Sequence, residues 1–186
     1  MEAIYIDKHY DLVVECKKGA RSAHYELYKL YSKAMYNVAM RILNHSDEAE
    51  DALQEAFLDA FTRIKDFRQE TTFGLWLKQI VIHRSINMLR KRKMIFEEIE
   101  DVDVESVVDY NREDEEEMSL KVEEVRNAIK LLPEGYRVVL SLYLLEGYDH
   151  EEIGQILKIT DGTSRTQFLR AKRKLIEILK FKGIER

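Results

Sequence analysis

Among 186 residues there is one cysteine, Cys16, one proline, Pro133, and only seven glycines. A lone thiol cannot form an internal disulfide, and a reducing, cytoplasmic setting is expected. So little turn punctuation argues against a sheet-rich domain and makes helix the starting expectation. No run approaches the roughly 20 apolar residues that cross a bilayer, so no stable membrane insertion is expected. The first residues, Met1 to Asp7, have neither a basic region nor an apolar signal core, and no export signal is read there. Also missing are a glycine-rich phosphate loop, a Cys/His pair and an HExxH stretch. No catalytic residues, no metal and no cofactor are therefore expected, and the chain is not read as an enzyme. His150-Glu151-Glu152 is better explained as the start of a helix.

Apolar residues make up 45% of the chain and charged residues 35%, enough of the former for real cores. The formal net charge of −5 hides a segregation. From Glu97 to Glu124 there are 14 acids against Arg112 and Lys121, a net of −12, so the remainder carries −5 − (−12) = +7. Block charge, not total charge, bears on nucleic-acid binding.

Periodicity divides the chain into two helical blocks. In the first, Leu27, Leu30, Tyr31, Ala34, Val38 and Ile42 follow 3,4 spacing, and the helix should stop near Leu43 before Asn44-His45-Ser46. Ser46 is the expected N-cap of the next helix, with Asp47 and Glu48 at its positive end. Ala49, Ala52, Leu53, Ala56, Phe57, Ala60, Phe61 and Ile64 line one face of that helix. After a break at Asp66 to Thr71, a further apolar run from Phe73 to Leu89 ends in Arg90-Lys91-Arg92-Lys93. The expected organisation is all-α: an N-terminal domain at 8–95, an acidic flexible linker at 96–118, and a C-terminal domain at 119–184.

The C-terminal block reads as a helix-turn-helix. Pro133 suits the first turn of a helix and Gly147 its end. Asp149 and Glu152 have the spacing of a capping box opening a short helix to Leu157. After Lys158-Ile159-Thr160, with Thr160 as a cap, a longer basic helix follows through Leu179. Ile153, Ile156, Leu157, Ile159, Phe168, Leu175 and Ile178 are its expected core. Arg165, Thr166, Gln167, Arg170, Lys172 and Arg173 are expected to point outward. Arginine forks match guanine edges and phosphates, and Gln and Thr offer shorter polar contacts. A solvated basic helix is the plainer account of the same charges.

With these residues in place, the chain resembles an extracytoplasmic-function (ECF) sigma factor. Ala49-Glu50-Asp51-Ala52-Leu53-Gln54-Glu55-Ala56-Phe57 is similar to the AEDxxQExF signature. Phe73-Gly74-Leu75-Trp76-Leu77-Lys78-Gln79-Ile80, with His83, Asn87 and Arg90-Lys91, resembles FxxWLxxIxxNxxxDxxRK. Leu132-Pro133-Glu134-Gly135-Tyr136-Arg137-Val138-Val139-Leu140 resembles LPxxxRxVxxL. Glu151-Glu152-Ile153-Gly154 resembles the end of YEEIA, and Gly162-Thr163-Ser164-Arg165-Thr166 resembles GTVKS. Each piece is weak alone; five in order are specific. Gly154 replaces the usual Ala, Ser164 the usual buried Val, and Lys158 an often-Gly turn position, changes expected to loosen the helix-turn-helix core. His83 stands for Asn and Asn87 for Asp.

The resemblance implies a promoter-binding subunit of RNA polymerase. Asp51, Gln54 and Glu55 would dock on the core polymerase's clamp; three and four apart, they share a helix face, which by itself could be merely a solvated acidic surface. Arg68, Gln69, Thr71, Thr72, Trp76, His83, Asn87 and Arg90 would meet the minus-ten element, the loop holding a flipped base and aromatics stacking on others. Trp76 alone, an aromatic at helical spacing, reads as core. Arg165, Thr166, Leu169, Arg170 and Arg173 would meet the minus-thirty-five element in promoter DNA. The linker would pass through the polymerase's channels as a nucleic-acid mimic, and an anti-sigma factor is an expected partner. One alternative is a stand-alone helix-turn-helix regulator binding an operator, with the first block as a sensor. Another, a metal-dependent hydrolase or nuclease, would have to use acids lying in the tether.

Overall fold

The computed structural model describes residues 7–92 and 122–181. The chain divides into two compact units, one within Met1–Lys93 and one within Met94–Arg186. The expected linker at 96–118 lies outside the described residues, as do 93–95 and 119–121 on either side of it and 182–184 at the far end of the second expected domain.

In the first unit, α1 (Tyr10–Lys17), α2 (Arg21–Leu43), α3 (Ser46–Thr62) and α4 (Phe73–Lys91) are joined by short turns, with a single 3-10 turn at Ile64–Asp66. Helices α2, α3 and α4 pack mutually, and α1 lies on α2. Ala49, Ala52, Ala56 and Ala60 form a small-residue row on α3 with no exposed surface. Such a row lets facing ridges approach closely. Against it stand Val38, Ala39, Ile42 and Leu43 of α2 and Leu77, Val81, Ile82, Ile86 and Leu89 of α4, all buried. The predicted stop after Leu43 is made by Asn44, which takes the left-handed conformation (φ 57°) and donates its N–H to Met40 O. Ser46, expected as the N-cap of α3, is instead its first helical residue, and its hydroxyl is spent on Asp47 Oδ1. There the hydroxyl donates to the neighbouring carboxylate instead of accepting from a backbone N–H, as an N-cap would. Helix α1, absent from the periodicity reading, is a short eight-residue segment that buries only Val13 and Cys16.

The second unit holds α5 (Val122–Lys130), α6 (Glu134–Leu144), α7 (His150–Leu157) and α8 (Asp161–Phe181). Helices α5, α6 and α7 all pack on α8. Ile129, Leu132, Leu140 and Ala171 are buried at one centre, with Val125, Tyr136, Leu175 and Ile178 packed around it. Pro133 falls just before α6 rather than inside it. Its φ of −49° still presets the entry, and Arg137 N–H donates to its carbonyl. Helix α6 ends at Leu144, and Gly147, with φ of 80°, serves the turn beyond the helix.

Candidate partner and nucleic-acid interfaces

On α3, Asp51, Gln54 and Glu55 are all exposed, while Ala52, Leu53, Ala56 and Phe57 on the opposite side are buried. The face is not made of carboxylates alone. Leu58, four residues past Gln54, is 68% exposed. Beside it, a cleft of about 380 Å³ opens between α2 and α3, lined by Tyr28, Ser32, Lys33, Tyr36, Glu50, Leu53 and Gln54. Glu55 is already engaged: Arg84 of α4 approaches its Oε2 at 3.4 Å and pairs more closely with Asp59. An acidic, partly apolar face next to a groove suits a partner helix carrying basic and apolar side chains.

The α3–α4 connection forms a second cleft of about 440 Å³, lined by Asp66, Phe67, Arg68, Glu70, Thr71, Trp76 and Gln79. Four features fix its shape. Gln69 adopts φ 64°, the left-handed region, turning the loop sharply. Thr72 N-caps α4, its hydroxyl accepting from Leu75 N–H at 3.3 Å. Asp7 Oδ2 accepts from Phe73 N–H at 2.7 Å, a second brace on the same helix end. Lys17 Nζ donates to Phe67 O at 2.7 Å and sits over the Phe67 ring. Phe73 is buried, whereas Trp76 is half-buried, packed against Phe67 (5.2 Å between centroids) and facing the cleft. Trp76 is thus both core and wall. His83 and Asn87 are exposed further along α4, and Arg90 Nη1 donates to Asn87 Oδ1. Asp7, Lys17 and Gln79 were missed at the sequence level. The first two act from far along the chain and only Gln79 carried a signal, three residues past Trp76 on the same face.

In the second unit the capping box at Asp149 is complete. Glu152 N–H donates to Asp149 Oδ1 and Asp149 N–H to Glu152 Oε2, both at 2.8 Å. Thr160 caps α8, accepting from Thr163 N–H at 3.0 Å. Arg165, Thr166, Leu169 and Arg173 are exposed and Arg170 is half-buried. Arg165 lies 3.7 Å from Asp161, and the Thr166 hydroxyl donates to Gly162 O. Gln167 corrects the outward assignment: it is 3% exposed. Three residues after buried Ser164 and four before buried Ala171, it belongs to the inner stripe of α8. Of the expected core, Ile153 and Leu157 are buried, and Ile156, Ile159, Phe168, Leu175 and Ile178 are half-buried.

Two of the three substitutions expected to loosen this motif, Gly154 and Ser164, are accommodated. A Cβ on Gly154 would stand 2.8 Å from Ile159 O, so glycine is what this tight turn accepts. Ser164 is buried without exposure, but its hydroxyl is 2.9 Å from His150 Nδ1. Burial and the Arg165 charge lower the proton affinity of His150, against smaller opposing effects of Asp149 and Asp161.

Two family models match the chain: Sigma-70 region 2 over residues 27–94 and Sigma-70, region 4 over residues 122–175. One region on each helical unit is the layout of an RNA polymerase sigma factor. Likeness along most of the chain narrows the class. The ECF RNA polymerase sigma factor SigW of Bacillus subtilis is 29% identical over 172 residues, 88% of this chain and 92% of that one. The ECF RNA polymerase sigma-E factor of Haemophilus influenzae is 29% identical over 175 residues, 89% of this chain and 92% of that one. The sigma factor RpoE of Bartonella quintana, solved in complex with the anti-sigma factor NepR, shares the fold at a TM-score of 0.55 and 24% identity, covering 87% of this chain and 97% of that one. The chain belongs to the ECF sigma factors, alternative RNA polymerase subunits that bind promoter DNA and direct transcription initiation.

Proposed function

We propose that the two units divide the work of promoter recognition, with an N-terminal sigma domain at 8–95, a linker at 96–118 and a C-terminal domain at 119–184. The α3 face of Asp51, Gln54 and Glu55 docks on core polymerase. The loop and helix carrying Arg68, Gln69, Thr71, Thr72, Trp76, His83, Asn87 and Arg90 receive the minus-ten element. Thr72 acts there as the cap that holds α4 in place, since its hydroxyl is committed to Leu75. Arg165, Thr166, Leu169, Arg170 and Arg173 meet the minus-thirty-five element, Arg165 and Arg170 some 140° apart around the helix, so that one faces bases while the other faces backbone. The chain works in the cytoplasm and performs no catalysis of its own, the chemistry of RNA synthesis belonging to the core enzyme. Among the described residues no helix is long and apolar enough to cross a membrane.

The observation that carries this reading is the half-buried Trp76 at the mouth of the 440 Å³ cleft, an aromatic wall beside polar loop groups of a size to take an unpaired base. Run-off transcription with core polymerase tests it. The chain should confer promoter-specific product, and Trp76→Ala should reduce strand opening more than core binding. Product independent of the chain, or operator binding as tight without polymerase as with it, would favour the stand-alone regulator instead. An anti-sigma factor, as in the Bartonella complex, is the proposed restraint on the chain. Recovery of the chain from extracts of promoter-silent cells should yield it bound to an inhibitory protein, and recovery of free chain alone would count against that restraint.

A further inference from the structure

One imidazole touches all three helices of the helix-turn-helix region. His150, the first residue of α7, stacks on Tyr143 of α6 with ring centroids 4.6 Å apart and planes at 17°. Its edge meets Phe168 of α8 at 5.6 Å, and Phe168 in turn lies 4.5 Å from Tyr143. Its Nδ1 is 2.9 Å from the Oγ of Ser164, also on α8, a hydroxyl with no exposure to water. Ser164 and Phe168 directly precede Arg165 and Leu169, two of the residues assigned to the promoter.

We propose that His150 is a positioning residue for promoter reading, its ring held in a three-ring cluster with Tyr143 and Phe168 and hydrogen-bonded to Ser164 so as to set the rotation and depth of α8. This rests on the reading of α8 as the helix that meets the minus-thirty-five element. Aliphatic contacts alone are non-directional and tolerate a sliding or rotating helix. A hydrogen bond across the α7–α8 turn holds only within a few tenths of an ångström and a limited range of angles. A buried hydroxyl deprived of it loses its interaction with water as well, so shifted seats of α8 are disfavoured. The Tyr143 face stacked on one side and the Phe168 ring against its edge fix the imidazole plane, so the ring has one orientation in which Nδ1 reaches Ser164.

The charged and titratable groups around the ring are Arg165 and Asp161 from α8, Asp149 from the cap of α7 and Tyr143 from α6. Burial opposes a positive charge on the ring, Arg165 adds to that opposition, and the two aspartates favour the charge by less. The clasp at neutral pH is therefore made by the uncharged ring.

The test uses holoenzyme and measures the ratio of its affinities for a promoter with an intact and with a scrambled minus-thirty-five element. Ser164→Ala and His150→Ala should each lower that ratio about fivefold, the equivalent of one net buried hydrogen bond. The double variant should lose no more than the worse single one, and His150→Gln, which keeps a hydrogen-bonding group, should recover part of the loss. In Ser164→Ala the NMR titration midpoint of His150, lowered from the ordinary value in the wild type, should shift. Ser164→Ala removes a single oxygen, so it decides the matter if His150→Ala fails to fold. An unchanged ratio in Ser164→Ala, or losses that multiply in the double variant, overturns the clasp. Arg165→Ala and Arg170→Ala serve as the reference: if they abolish discrimination while Ser164→Ala spares it, only the clasp fails. If neither changes the ratio, the assignment of α8 fails and the clasp's role falls with it.

Discussion

Lys158 occupies the left-handed conformation, φ 61°, as the C-cap of α7. A lysine there places its Cβ against the backbone at a cost on the order of 1 kcal/mol, which glycine avoids. Lys158→Gly should therefore leave the second unit as stable or raise its melting midpoint by a few degrees. A clear loss of stability would mean that the lysine side chain makes a contact worth more than the strain. Gly154→Ala should act the other way, because the added methyl meets Ile159 O at 2.8 Å and the turn must open to admit it. Thermal melting of both variants decides the sign. His150 adds a pH dependence at this scale. Its proton affinity in the folded chain is lowered from the ordinary 6.5, so above that value the ring is neutral whether folded or unfolded. As pH falls below it the unfolded chain takes the proton first, and stability drops. Wild type should lose more stability between pH 7.5 and 5.5 than His150→Asn does, and equal losses would show that other groups carry the effect.

At the scale of elements, α3 carries two loads on opposite faces, a row of buried alanines and an exposed acidic face, and the two can be separated by mutation. Asp51→Lys with Glu55→Lys should weaken co-purification with core polymerase while leaving helical content unchanged, since Asp59 still holds Arg84 when Glu55 is lost. Undiminished co-purification would remove this face from the docking site. Helices α2, α3, α4, α6, α7 and α8 were legible from apolar spacing or from a recognisable stop or cap: Asn44 for α2, Pro133 for α6, the Asp149–Glu152 pair for α7, Thr160 for α8; the Thr72 cap of α4 was not read and the Ser46 cap of α3 was misplaced. Helix α1 was not legible, because eight residues with two buried side chains give periodicity too little to act on. The candidate promoter residues were legible by type and spacing, but their packing was not. Gln167 has the chemistry of a base reader and the helical phase of a core residue, and phase prevailed. The braces from Asp7 and Lys17 join residues 66 and 50 positions apart, a relation no local pattern encodes. Ser164 and His150 are 14 apart, and their pairing turned an expected defect into a directed contact.

For the whole molecule, the decisive quantity is how charge is apportioned along the chain. The stretch from Glu97 to Glu124 carries −12 and all else +7, so a chain of net −5 contains DNA-facing blocks that are net basic. Each phosphate neutralised by a lysine or arginine releases counterion, which makes affinity fall steeply with salt. Lys174 is already hydrogen-bonded to Glu177 at 2.8 Å, so Lys172 is the better placed of the two for a phosphate. In holoenzyme, Lys172→Ala should weaken all promoters evenly and lower the salt slope by roughly one, whereas Arg170→Ala should relax preference at one upstream position. The acidic stretch acts on the same balance from the other side. Replacing Glu113, Asp114, Glu115, Glu116 and Glu117 by their amides removes five negative charges, bringing the formal net from −5 to −5 + 5 = 0. A tethered polyanion competes with DNA for the basic surfaces of its own chain, and long-range attraction to duplex is weaker while it is present. The amide variant of the free chain should therefore bind non-specific duplex several-fold more tightly at low salt. The gain should shrink as ionic strength rises and the Debye length falls to about 8 Å at 0.15 M. Fluorescence anisotropy across a salt series measures both. Equal affinities at every salt concentration would show that the acidic stretch does not shield the basic blocks.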